Sequence, residues 1–131
     1  MSKSKVKWGI IAAGSIANAF AHSIKYSENS ELKSVLGRNE EKVKAFAEKH
    51  QIQPFTHQES FFDSEIDAVY VATPHDTHFH YSLEAINRSL HVLCEKPLSV
   101  NSTEAMVLMN EAKKQKVFLM EAFMYLSLIH I

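Results

Sequence analysis

Three stretches of this chain carry side chains whose types and spacing can do chemistry. The first is Gly9-Ile10-Ile11-Ala12-Ala13-Gly14-Ser15-Ile16-Ala17. Laid on the phosphate-loop pattern GxGxxG/A, its key positions are Ala12, Gly14 and Ala17. In that pattern the first position makes a tight turn, the second lets the backbone approach a pyrophosphate, and the third lets helix and strand pack closely. Gly14 and Ala17 suit these tasks. Ala12 is a departure, and it is expected to keep a negative φ because alanine avoids the left-handed region. The helix that follows, opening at Ser15 and Ile16, offers free N–H groups and positive dipole to a phosphate.

The second stretch is Leu36-Gly37-Arg38. NAD-preferring sites place Asp or Glu at this point to accept from a ribose 2′-hydroxyl. Here Glu40 and Glu41 come later, in a helix, and the strand end carries Arg38, a planar permanent cation suited to a 2′-phosphate or to stacking on adenine. Gly37 removes a side chain that would crowd the phosphate. NADP is therefore expected over NAD.

The third stretch is a pair of strand ends, Ala72-Thr73-Pro74-His75-Asp76-Thr77-His78 and Cys94-Glu95-Lys96-Pro97. In an open parallel sheet such ends line the ligand crevice. Lys96, just past a buried strand, is placed for a pKa lowered by desolvation and for proton exchange with a substrate hydroxyl. Contact with cofactor or substrate is expected of His75 and His78. No metal site is expected, since His80 falls on a helix turned away from His75 and no further ligands cluster by spacing.

These residues need a scaffold, and the chain alternates short strand-type runs with helix-type segments. Strands are expected at Val6–Ile11, Leu32–Leu36, Pro54–Thr56, Ala68–Ala72, His91–Cys94 and Val117–Met120. Helices are expected from Ser15 to Lys25, with a stripe of Ile16, Phe20 and Ile24, and after an Asn39 cap, with Val43, Phe46, Ala47 and His50 on one face. Further helices are expected from Thr77 to Arg88 and from an Asn101–Glu104 capping box to about Gln115. The stretch around Phe61-Phe62 is irregular or briefly helical. This alternation predicts an α/β, doubly wound, mainly parallel sheet of the Rossmann type.

Length and composition set limits. The 131 residues suffice for one domain, and 46% hydrophobic with 22% charged residues is an ordinary globular mix. A formal net charge of −1, with 14 basic and 15 acidic residues and no Lys/Arg cluster, does not point to an electrostatic nucleic-acid binder. Cys94 is a single thiol, so no internal disulfide forms, which fits a cytoplasmic setting. No signal peptide and no membrane-spanning stretch is visible.

The motifs together resemble the glucose–fructose oxidoreductase/inositol dehydrogenase/rhizopine-catabolism family. The matching stretches are WGIIAAGSIA (8–17), GR (37–38), DAVYVATPHDTH (67–78), HVLCEKPLSV (91–100) and FLMEAFMY (118–125). The look is nearest to its dimeric dihydrodiol dehydrogenase and NADP-dependent xylose dehydrogenase branch. The resemblance implies a Rossmann domain followed by an α/β domain, and hydride transfer between nicotinamide and a sugar, polyol or diol carbon. It implies that Lys96 is the catalytic lysine and that Pro97 follows a cis peptide. It gives Thr73, Pro74, His75 and His78 binding roles along the nicotinamide half, and places Glu95 near the nicotinamide ribose. Departures are Ala12 for the first glycine, His75 where asparagine is common, and Ser89 where a helix-ending glycine is common, so the turn at Ser89 is expected to be strained or differently closed.

The family continues past FMY with an arginine and a second domain, whereas this chain reads Leu126-Ser127-Leu128-Ile129-His130-Ile131. Those six residues match a translated sequencing adaptor. The expected organisation is a Rossmann domain over 1–125, a non-native tail over 126–131, and a second domain missing. Such a lone part is expected to bind cofactor, to turn over substrate poorly, and to expose apolar surface meant for the second domain. The parent enzyme is expected to be a homo-oligomer acting on a small molecule. A non-catalytic NADP-sensing regulator and a stand-alone nucleotide-binding module are the alternatives; the intact EKP speaks against the regulator.

Overall fold

The computed structural model describes residues 5–12, 14–73, 77–95 and 101–122. Its strands are β1 (Val6–Ile11), β2 (Ser30–Leu36), β3 (Gln53–Phe55), β4 (Ala68–Val71), β5 (His91–Glu95) and β6 (Leu119–Ala122). Between them lie α1 (Ser15–Ile24), α2 (Glu40–His50), α3 (Gln58–Phe62), α4 (His78–Asn87) and α5 (Ser102–Gln115). The six strands form one sheet in the order β3-β2-β1-β4-β5-β6. Every pairing is parallel. This is the doubly wound α/β fold that the alternation predicts.

Register explains where a site can form. Ile11 stands opposite both Leu36 and Val71, so β1, β2 and β4 end level with one another. The strand order departs from β1 toward β2 on one side and β4 on the other, which is the switch point where such sheets bind ligands. Two cores clamp the sheet. One packs α1 and α2 over Ile10, Val35 and Tyr70. The other packs α3, α4 and α5 over Ile11, Val69, Val71 and Val92. β4 is buried on both faces, with Ala68, Val69, Tyr70 and Val71 at most 1% exposed, which accounts for its unbroken apolar run.

The expected stripe on α1 needs correction. The buried residues are Ala17, Phe20, Ala21 and Ile24, while Ile16 is 45% exposed. Four-residue steps overshoot a turn of about 3.6 residues, so Ile16 falls off the buried face. On α2 the expected face of Val43, Phe46, Ala47 and His50 is the buried one. Asn39 caps it, its side chain accepting from the Lys42 N–H. At α5 the Asn101 side chain accepts from the Glu104 N–H at 2.8 Å.

β6 lies two residues later than expected. Lys116 closes α5 in the left-handed conformation, and the Val117 N–H returns to the Ala112 carbonyl. Pairing therefore starts at Leu119 opposite Val92. Beside α1, no described residue covers the face over β5 and β6, which forms an apolar groove of about 440 Å³ lined in part by Trp8, Phe20, Leu93, Phe118 and Met120. Phe118 is 74% exposed. Among the described residues no helix is long and apolar enough to cross a membrane.

Candidate functional site

A cleft of about 510 Å³ opens across the C-terminal ends of β1, β2 and β4. It brings together Ala12, Gly14, Arg38 and Thr73, four of the residues singled out from sequence. Ser15 and Ile16 follow in the exposed first turn of α1. Pro74, His75 and Lys96, together with Pro97, lie outside the described residues.

The first position of the loop contradicts expectation. Ala12 adopts φ 109°, in the region that favours glycine. The Ala12 N–H is tied to the Leu36 carbonyl at 2.8 Å, so the chain must leave the sheet abruptly at this residue. Such a conformation costs an alanine about 1–3 kcal/mol. Gly14 has an ordinary φ of −85° and serves as N-cap of α1 without a side-chain bond. A Cβ added at Gly14 would meet nothing within 4 Å. The backbone is open there, as close approach of a pyrophosphate requires.

At the end of β2, Arg38 lines the cleft together with Asn39 and Lys42. Lys42 is a second cation that sequence reading passed over. Its signal was its place in the first turn of α2, just beyond the Asn39 cap. Gly37 also has a packing reason: a Cβ there would lie 2.5 Å from Cγ2 of Val43. The far wall includes Thr77 and Tyr81 at the start of α4. Tyr81 and Arg38 also border an adjoining hollow of about 410 Å³. Tyr81 was likewise missed, because its face of α4 is legible only once α4 is placed against the β2 end.

Past β4, the Thr73 hydroxyl is buried with no hydrogen-bond partner among the described residues, at the wall of the cleft. The Thr73 carbonyl is held by Nε2 of His78 at 2.7 Å. His78 is 1% exposed, so it braces the loop from below. At the next strand end the Tyr70 hydroxyl donates to Glu95 Oε2. Tyr70 is fully buried and stacks on Phe20 with ring centroids 4.3 Å apart, which fixes its reach. Burial pushes the Cys94 thiol up to about 12, so it stays protonated and inert. His80 sits on the outer side of α4, 3.2 Å from Gln58, as a surface residue.

A bare glycine at a helix start, two cations at the second strand end and an orphaned buried hydroxyl across the gap fit a phosphorylated nucleotide. The fold and cleft thus define a dinucleotide-binding α/β domain. The profile of the Gfo/Idh/MocA oxidoreductase family, NAD-binding Rossmann fold, matches residues 6–123. The chain belongs to this family and carries its NAD-binding Rossmann domain. It is 39% identical over 118 residues to oxidoreductase P35 of Formosa agariphila, covering 88% of this chain and 37% of that protein. It is 39% identical over 121 residues to the trans-1,2-dihydrobenzene-1,2-diol dehydrogenase of Xenopus laevis, covering 89% of this chain and 37% of that enzyme. Among solved structures it is similar to KijD10, a 3-ketoreductase from Actinomadura kijaniata in complex with NADP. The TM-score is 0.88 at 27% identity, over 94% of this chain and 40% of that one. The chain thus spans a little over a third of the length of these curated relatives.

Proposed function

We propose that this chain is the cofactor-binding part of a longer NADP-dependent oxidoreductase acting on a sugar, polyol or diol hydroxyl, or on the matching carbonyl. The observation that carries the reading is the pairing of Arg38 and Lys42 at one wall of the cleft that Gly14 opens. Two cations without a strand-end carboxylate favour a 2′-phosphate over a bare ribose hydroxyl. Gly14 and the first turn of α1 would take the pyrophosphate. Tyr81 and Arg38 would flank the adenine, and Thr73 would supply its spare hydroxyl. When bound, the nicotinamide supplies or accepts the hydride.

For this chain's own residues the roles rest on sequence position and family membership. Lys96 would hold or release the proton of the substrate hydroxyl. Pro74 and His75 would line the nicotinamide half, with His78 setting the Thr73 carbonyl and Glu95, ordered by Tyr70, beside the ribose. The open apolar face over β5 and β6 supports the idea that further chain covers this domain in the whole protein. The intact EKP segment favours an enzyme over an NADP-sensing regulator.

Lys42→Ala should weaken NADPH binding about tenfold or more, the worth of a charged hydrogen bond, while leaving NADH binding nearly unchanged, and Arg38→Asp should weaken NADPH binding at least as much and shift the preference toward NADH, since an Asp there accepts from a ribose 2′-hydroxyl. Unchanged preference in both variants contradicts NADP specificity. In the full-length protein, Lys96→Ala should spare NADPH binding and lower turnover about 10²–10⁴-fold. Wild-type turnover in that variant removes Lys96 from the mechanism.

A further inference from the structure

His50 closes α2 on the side away from the cleft, yet it is connected to the phosphate loop. Its Nε2 lies 2.9 Å from Oδ1 of Asn18 on α1. The Asn18 Nδ2 in turn donates to the Gly14 carbonyl at 3.3 Å, and the Asn18 backbone N–H donates to the same oxygen at 3.0 Å. The carbonyl of Gly14 and the N–H of Ser15 belong to one planar trans peptide and point in opposite directions. Holding the carbonyl back along α1 therefore aims the Ser15 N–H out of the helix start, toward the space where an anion would sit.

The network dictates its own proton inventory. The Asn18 amide nitrogen is engaged by Gly14, so its oxygen faces His50 and must receive a proton from Nε2. The neutral ring then carries a bare Nδ1, which is buried and has no partner among the described residues. His50 is 8% exposed and packs on Phe46 with ring centroids 4.6 Å apart. A second proton would go on Nδ1, where no described residue offers an acceptor. The charged groups around it are His22 and Lys25 from α1 and its cap, and Lys49 on its own helix. Lys5 and Glu31 line the adjoining cavity of about 210 Å³. Positive charge outweighs the one carboxylate among these described neighbours.

We propose that Asn18 and His50 are positioning residues for the phosphate loop, so that cofactor binding weakens when His50 takes up its second proton. The charged ring leaves its buried seat, Asn18 loses its anchor, and the Gly14–Ser15 peptide loses its side-chain restraint. Burial, with Lys25 next, holds His50 below its ordinary 6.5, so the neutral, linked form is the resident one at neutral pH. The sign follows: the support is complete above 6.5 and is lost as pH falls through the lower folded value. Linkage is reciprocal, so bound cofactor must lower the His50 pKa further. The inference rests on the dinucleotide reading of the cleft.

The test is NADP⁺ affinity of the 131-residue chain, measured from about pH 8 to about pH 5.5, the span in which histidine titrates, in wild type, His50→Gln, Asn18→Ala and His22→Gln. Folding of each is checked by circular dichroism. Comparison with His50→Gln on the same ligand cancels the titration of the 2′-phosphate. Wild type should weaken about three- to tenfold more than His50→Gln, the worth of one net hydrogen bond. His50→Gln keeps a donor for Asn18, so it should bind at the upper pH and lack this extra fall. Asn18→Ala should bind weakly at both ends. The exposed His22→Gln should keep the wild-type profile. NMR of the His50 ring should show its pKa lowered by NADP⁺. Identical profiles in wild type and His50→Gln, or a His50 pKa indifferent to ligand, overturn this inference alone. A folded wild type that binds no NADP⁺ at the upper pH overturns the dinucleotide reading and this inference with it.

Discussion

Gly37 and Val43 are in contact so close that no side chain fits between them: a Cβ on Gly37 would lie 2.5 Å from Cγ2 of Val43. Val43 is 1% exposed and branched at Cβ, so it has little freedom to give way. Gly37→Ala should cost about 1–3 kcal/mol, as overpacking does, measured by urea unfolding. The double variant with Val43→Ala should recover part of that loss. If the double variant is less stable than the sum of the two singles, the contact is not the cause.

Ala12 carries the strain of the phosphate loop. Glycine adopts φ 109° without penalty, so Ala12→Gly should raise stability by about 1 kcal/mol despite the added freedom of the unfolded chain. Thermal unfolding reads this directly. A lower Tm would mean that the alanine is not strained at this turn.

Three helices end on left-handed residues other than glycine: Gln51 after α2, Ser89 after α4 and Lys116 after α5. Ser89 confirms the strain expected where family members often have glycine. Gln51→Gly, Ser89→Gly and Lys116→Gly should each stabilise by about 0.5–1 kcal/mol, with Ser89 and Lys116 coupled rather than additive because the Ser89 hydroxyl lies 3.4 Å from Gln115, next to Lys116. Loss of stability in all three would show that these caps are held by their side chains instead.

Cys94 is fully buried and its thiol is pushed up to about 12, chiefly by burial. It should resist alkylation in the folded chain at mildly alkaline pH and react at the ordinary rate in denaturant. A group with a raised folded pKa stabilises the fold below its ordinary value of 9.0 and withdraws that support as pH rises toward 12. Rapid labelling of native protein would contradict the burial.

Much of this architecture was legible because single residues carried unambiguous signals. The unbroken apolar run from Ala68 to Ala72 pointed to a strand covered on both faces, and β4 at Ala68–Val71 is buried throughout. Asn39 and Asn101 announced helix starts that the structure repeats. Ala12, Gly14 and Arg38 meet in one cleft because each sits at a strand-to-helix junction, a position readable along the chain. The misses have one cause in common, namely that they depend on elements distant in sequence. Ile16 turned outward once Ala17 and Ala21 packed on the sheet. Lys42 and Tyr81 joined the cleft from two different helices, and Gly37 answered to Val43. The tie from His50 to Gly14 spans two helices and leaves no pattern in the chain.

The most direct measurement is a titration of the purified chain with NADPH and with NADH, followed by cofactor fluorescence and thermal stabilisation. Ligand bound to the native state raises apparent stability as its concentration passes Kd. Saturable NADPH binding with clearly weaker NADH binding is the predicted result, reflecting Arg38 and Lys42 at the cleft wall. A folded chain stabilised by neither cofactor would contradict the assignment of this cleft as a dinucleotide site.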